Sequence, residues 1–153
     1  MMKLRKNIDR ILGNVLVVIL AVMFMNVLWQ VFSRFVLDNP SSFTDELARY
    51  LMIWLGLLGA AYVSGKNMHV AIDVLPSRSK KKVRQQMQFI VQILIILFCF
   101  LALCIGGARL VYLTYILEQY SPALRIPLAL VYAVLPISGT LIIYYKVSDI
   151  IKK

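Results

Sequence analysis

Histidine occurs once in this chain of 153 residues, at position 69, and cysteine twice, at positions 99 and 104. Asp9, Asp38, Asp45, Glu46, Asp73, Glu118 and Asp149 are the only acidic residues, and all lie outside the middles of the long apolar stretches. Each scarcity excludes a class of function. A haem-binding membrane protein takes axial ligands, commonly paired histidines, which one loop histidine cannot supply. A metal centre needs clustered His, Cys or carboxylate ligands, and no such cluster occurs. Cys99 and Cys104 share one apolar stretch but are five residues apart, on different helix faces, so they read as small packing residues rather than a redox pair. A small proton-coupled exporter carries an acidic residue deep in a helix, and none stands there. No nucleophile stands with a base, so the expectation is no enzyme and no cofactor.

What the chain does have is length without charge. There are 23 uncharged residues between Arg10 and Arg34, 16 between Arg49 and Lys66, 24 between Arg84 and Arg109 and 20 between Arg125 and Lys146. A helix needs about 20 apolar residues to cross a bilayer core, and only helices or closed barrels satisfy their backbone there. The expected fold is therefore all-α: one membrane domain over 1–153 with four transmembrane helices near 11–33, 44–65, 84–112 and 126–146. The first apolar run is longer than a signal-peptide core and lacks a small-x-small cleavage site, so it is expected to be retained as a span.

The net charge of +10 would suggest nucleic acid in a soluble protein, but its placement argues for lipid headgroups instead. Of the 17 cations, 13 lie before the first span, between spans two and three, or after the fourth. The positive-inside rule puts both termini and the middle loop in the cytoplasm. That loop carries Met68, Ala71, Ile72 and Leu75 at the spacing of a short amphipathic helix lying on the membrane surface. His69 and Asp73 are i, i+4 neighbours on its other face. They form either a surface pair or a contact fixing the loop to span two or to a partner.

Polar residues near the other ends of the spans are the candidate contacts. Asn26, Gln30 and Arg34 follow at i, i+4 and i+8, one stripe that bonds either within the unit or to another subunit. Asp45 and Glu46 sit in the first turn of span two, where the helix dipole favours anions, with Arg49 in reach for an ion pair. The alternative role for this trio is docking a partner. Arg34, Arg109 and Arg125 suit snorkelling to the interface or steering an acidic partner. Gly56, Gly59 and Ala60 offer span two a face for close helix packing. Pro136 is expected to kink span four, and Tyr144, Tyr145 and Lys146 to anchor its end.

In order, Trp29 and Arg34, then Asp45-Glu46-Leu47-Ala48-Arg49-Tyr50-Leu51, Trp54, Gly59-Ala60-Ala61, Lys66 with His69-Val70-Ala71-Ile72-Asp73, and Ser121-Pro122-Ala123-Leu124 through Ile126-Pro127 to Pro136-Ile137 resemble the small membrane (DctQ-like) subunit of TRAP transporters. Phe43 replaces the Trp that many relatives carry before the acidic motif. The resemblance implies a non-catalytic accessory or scaffold subunit in the bacterial inner membrane. Its partners would be a large TRAP membrane subunit, where sodium coupling would reside, and a periplasmic solute-binding protein. The cargo would be an organic acid such as a C4-dicarboxylate or sialic acid. The alternative is an autonomous four-helix exporter. Arg34, Asp45, Glu46, Arg49, His69 and Asp73 are the candidate docking residues.

Overall fold

The computed structural model of the chain describes residues 2–37, 42–66 and 81–151. The surface helix expected over 68–75, with His69 and Asp73, lies outside them, as does Asp38. Among the described residues the regular elements are all helices, joined by turns and by a loop over 117–127 that holds one isolated bridge between Tyr120 and Pro127. In chain order they form α1 (Met2–Phe35), α2 (Ser42–Gly65), α3 (Lys81–Phe98), a π-helical segment (Cys99–Gly106), α4 (Gly107–Ile116), α5 (Leu128–Tyr132) and α6 (Val134–Ile151). Four helical stretches, of 31, 24, 31 and 24 residues, are long and apolar enough to cross a membrane. The third runs through the π segment without a break to Ile116. At 1.5 Å per residue it reaches roughly 45 Å, longer than a bilayer core and suited to tilt.

The four spans stand in a row. α1 packs on α2, α2 on α6, and α6 on α3 and the π segment, giving the lateral order one, two, four, three. Leu12, Leu58, Ala61, Cys99, Val134 and Ile142 form a thin core along this row. In the apolar stretches of the outer spans one and three 11% and 6% of residues are buried, against 17% and 39% in the middle spans two and four. The outer spans have a neighbour on one side only, and of the middle pair span four is the one enclosed most.

Close approach between spans three and four rests on absent side chains. A Cβ built on Gly139 would stand 2.8 Å from Leu103 Cβ and 3.0 Å from Cys104 Sγ, closer than real contacts allow. Gly56 and Gly59, expected to be the close-packing face, have nothing within 4 Å of such a Cβ, and Ala60 is exposed. The small face of span two points away from its neighbours because α1 and α6 occupy the other sides of α2.

Pro136 interrupts span four as expected, one turn ahead of itself. It has no N–H to give to the Tyr132 carbonyl four residues back, so α5 ends at Tyr132 and α6 starts at Val134. Next to this break the Val131 carbonyl accepts the indole N–H of Trp54 in α2 at 3.1 Å. A side chain of one span thereby bonds to the backbone of another one residue before the carbonyl that Pro136 leaves without its helical donor. The π segment of span three, with the Gly107 amide donating to the Ala102 carbonyl five residues back, has no sequence signature and was not expected.

Candidate functional site

Two polar clusters cap the row. One lies at the end holding the chain termini, here the proximal end, and the other at the distal end, where α1 turns toward α2 and α4 toward α5.

At the distal end the two motifs on either side of the chain meet. Glu46, in the first turns of α2, accepts three hydrogen bonds at one carboxylate oxygen, Oε2. The donors are the Ser121 hydroxyl and the amides of Ala123 and Leu124, both amides at 3.1 Å. Ser121 Oγ in turn accepts the Leu124 amide at 3.3 Å and is fully buried. The turn is also closed on itself. Ser121 N–H donates to the Ile126 carbonyl, Arg125 N–H to the Ser121 carbonyl and Leu128 N–H to the Gln119 carbonyl, each at 2.9 Å. Glu118 (φ 45°) and Arg125 (φ 53°) take the left-handed conformation, which bulky residues adopt only where surrounding contacts hold them.

The neighbouring residues tie α1 to α2. Asn26, buried, donates its amide to the Thr44 carbonyl at 2.8 Å, and the Gln30 amide donates to Asp45 Oδ1. Two members of the α1 stripe are therefore spent inside the chain. Arg34, the third, is exposed, as are Arg49, Arg109 and Arg125. The ion pair available to Arg49 does not form. Among the described residues the salt bridge within 4 Å is that of Arg5 with Asp149. Glu46 turns toward the 121–124 loop, whose amides and hydroxyl offer its carboxylate three donors. Of the candidate docking residues, Arg34, Asp45 and Arg49 present exposed side chains at the distal end, while Glu46 is half-buried and engaged internally. Sequence spacing gave no sign of Ser121 as its partner, 75 positions away.

The proximal cluster was not anticipated. Arg5 donates to Asp149 Oδ1 at 2.6 Å and to the Gly65 carbonyl, and its guanidinium lies 5.5 Å from the centre of the Tyr145 ring, a cation–π contact. The Tyr145 hydroxyl donates to Asp9 Oδ1 at 2.6 Å. Tyr145 is wholly buried and Lys146 only 4% exposed, so neither is the interfacial anchor that its place in the sequence suggested. Their helix has neighbours on both sides, and Gly65 leaves room for the Tyr145 ring, 2.8 Å from where a Cβ would stand. One signal was available: Asp9 and Asp149 are the acidic residues nearest the two chain ends, amid basic neighbours.

Residues 23–153 match the family described as tripartite ATP-independent periplasmic transporters, DctQ component. A TRAP transporter small permease protein of Haemophilus influenzae is 30% identical over 88% of this chain and 82% of its own length. The sialic acid TRAP transporter small permease protein SiaQ of Vibrio cholerae is 32% identical over 53% of this chain and 47% of its own. The sialic acid TRAP transporter permease protein SiaT of Haemophilus influenzae is 34% identical over half of this chain but only 12% of its own length. With four helices able to span a membrane and a match running from the middle of α1 to the last residue, the chain belongs to the DctQ family and is a multi-pass small permease component of a TRAP transporter.

Proposed function

We propose that this component is a non-catalytic brace for a large membrane subunit, in a transporter that takes up an organic acid delivered by a periplasmic binding protein. The observation that carries this reading is the open row. Few residues of spans one and three are buried within the chain, and both carry many exposed apolar side chains, an arrangement with ample area for a larger protein to pack along. The likeness of half this chain to 12% of a long permease protein supports it, because a related segment there belongs to a much longer chain. Relatives named for sialic acid make that solute, or a similar carboxylate, the proposed cargo. Sodium coupling is assigned to the large subunit, and the binding protein to the distal face, where Arg34, Asp45 and Arg49 are exposed. The positive-inside rule applied to the basic segments supports an inner-membrane protein with both termini in the cytoplasm.

Proteoliposomes test the reading. The chain reconstituted with its large subunit, the binding protein and an inward sodium gradient is expected to accumulate sialic acid or a related carboxylate, and the chain alone is not. Uptake by the chain alone would refute the brace and favour an autonomous carrier.

A further inference from the structure

The distal parts of spans three and four form a unit that the rest of the row holds at few points. α4 and α5 pack on each other, and the loop between them is closed by its own backbone hydrogen bonds. Both roots of this hairpin are irregular. On one side the π segment ends at Gly106, immediately before α4. On the other, Ala133 separates α5 from α6: its amide donates to the Ala129 carbonyl at 3.0 Å, while its carbonyl accepts the Ile137 amide at a longer 3.4 Å. The roots lie at one level, since a Cβ on Gly107 would stand 3.1 Å from Pro136 Cδ. Short π segments and proline breaks are where helices bend, because the regular i to i−4 ladder is missing there.

α2 packs its length on α1 and α6, and two of its side chains hydrogen-bond to the hairpin. Glu46 holds the loop at Ser121, Ala123 and Leu124, and Trp54 holds α5 at the Val131 carbonyl. One contact is near the tip of the hairpin and the other near its root, so together they fix its angle to α2.

We propose that the hairpin from Gly107 to Tyr132 is a hinged unit of the distal face, pivoting where the π segment meets the Ala133 break, with Glu46 and Trp54 as the positioning residues that latch it to α2. The exposed side chains it carries, Tyr120, Pro122 and Arg125, are then presented at a position set by the latch together with the few buried side chains of the hairpin, Thr114, Ser121, Ala129 and Val131. A partner that competes for the Glu46 carboxylate or pulls on the loop would shift this face without disturbing α1, α2 or α6. The inference does not depend on the solute carried or on the binding protein.

Pulsed electron resonance distances on the full chain in lipid nanodiscs test it, with spin labels on cysteines introduced at exposed positions and Cys99 and Cys104 replaced by alanine. The pair Phe35→Cys with Tyr115→Cys spans from α1 to the hairpin. The pair Phe35→Cys with Val147→Cys stays within the body of the row. A single narrow distance is expected for both pairs in the otherwise unchanged chain. Glu46→Gln and Trp54→Phe should each broaden the hairpin pair, and together give it a second, separated distance, while the body pair stays narrow. Adding Pro136→Ala, which restores the missing backbone donor, should narrow the hairpin pair again. A hairpin pair indifferent to both latch variants overturns the proposal, as does broadening of both pairs together, which would mean general loosening.

Discussion

Arg5 and Asp149, 144 positions apart, meet at 2.6 Å and join the first turns of α1 to the last turns of α6. Elsewhere α1 packs along α2, so this contact, with the Tyr145 hydroxyl on Asp9, draws the proximal end of an outlying helix onto the centre of the row. Both side chains are largely buried, where removing one partner leaves the other charge uncompensated. Asp149→Ala is expected to lower stability by about 3 kcal/mol. The pair of exchanges Arg5→Asp and Asp149→Arg should recover part of that loss, as a double-mutant cycle of unfolding in detergent would record. Recovery of nothing would mean that Arg5 acts through Gly65 and Tyr145 alone.

Removing the Tyr145 hydroxyl isolates the second contact of the cluster. Tyr145→Phe keeps the ring under the Arg5 guanidinium and deletes only the donor to Asp9, so a loss of about 1.5 kcal/mol is expected, the low end for a hydrogen bond to a charged group. Thermal unfolding of the full chain measures it, and a loss as large as that of Asp149→Ala would show that the hydroxyl organises the whole cluster.

Glycines in this chain should divide sharply by environment. Gly139→Ala drives a Cβ into Leu103 and Cys104 and is expected to cost about 1–3 kcal/mol, the range for overpacking. Gly56→Ala meets nothing within 4 Å, so the isolated chain should be unchanged or slightly stabilised through helix propensity. If the small face of α2 is where the large subunit packs, Gly56→Ala should nevertheless weaken co-purification of the two, separating a docking role from a folding one.

Asp45 and Glu46 are adjacent, both acidic and both in the first turns of α2, yet they should respond differently. Glu46→Gln weakens three hydrogen bonds to the 121–124 loop, so faster protease cleavage within 117–127 is expected, with the four spans intact. Asp45→Asn leaves that loop alone and should change its cleavage little. Equal cleavage rates in the two variants would count against the latch.

Docking of the binding protein at the distal face, as proposed, gives a charge-dependent association rate. Replacing Arg34 and Arg49 by Gln should slow association most at low salt and little at high salt, because screening already removes the steering there. Surface plasmon resonance on the reconstituted complex reads this directly, and a salt-independent effect would place these arginines in contact packing instead.

Much of the fold is written locally. Runs such as 11–33 and 85–108 are uncharged from end to end and long enough to cross a bilayer core, so the number of spans and the shared end of both termini follow from composition and charge. The break in span four follows from Pro136, whose missing N–H acts on a carbonyl four residues away. The internal role of Asn26 and Gln30 was one of two readings left open by their spacing, because a stripe shows which side of a helix is polar but not which helix faces it.

Lateral packing was decided only in three dimensions. In a membrane, lipid is as apolar as leucine, so a span has no need to hide one face and its sequence carries little record of its neighbours. The row order one, two, four, three, the inward turn of Tyr145 and Lys146 and the π segment against Gly139 all depend on which helices stand together. So does the pairing of Glu46 with Ser121. Its carboxylate had an arginine within reach on its own helix, and it went instead to three donors that only the folded loop brings to one point.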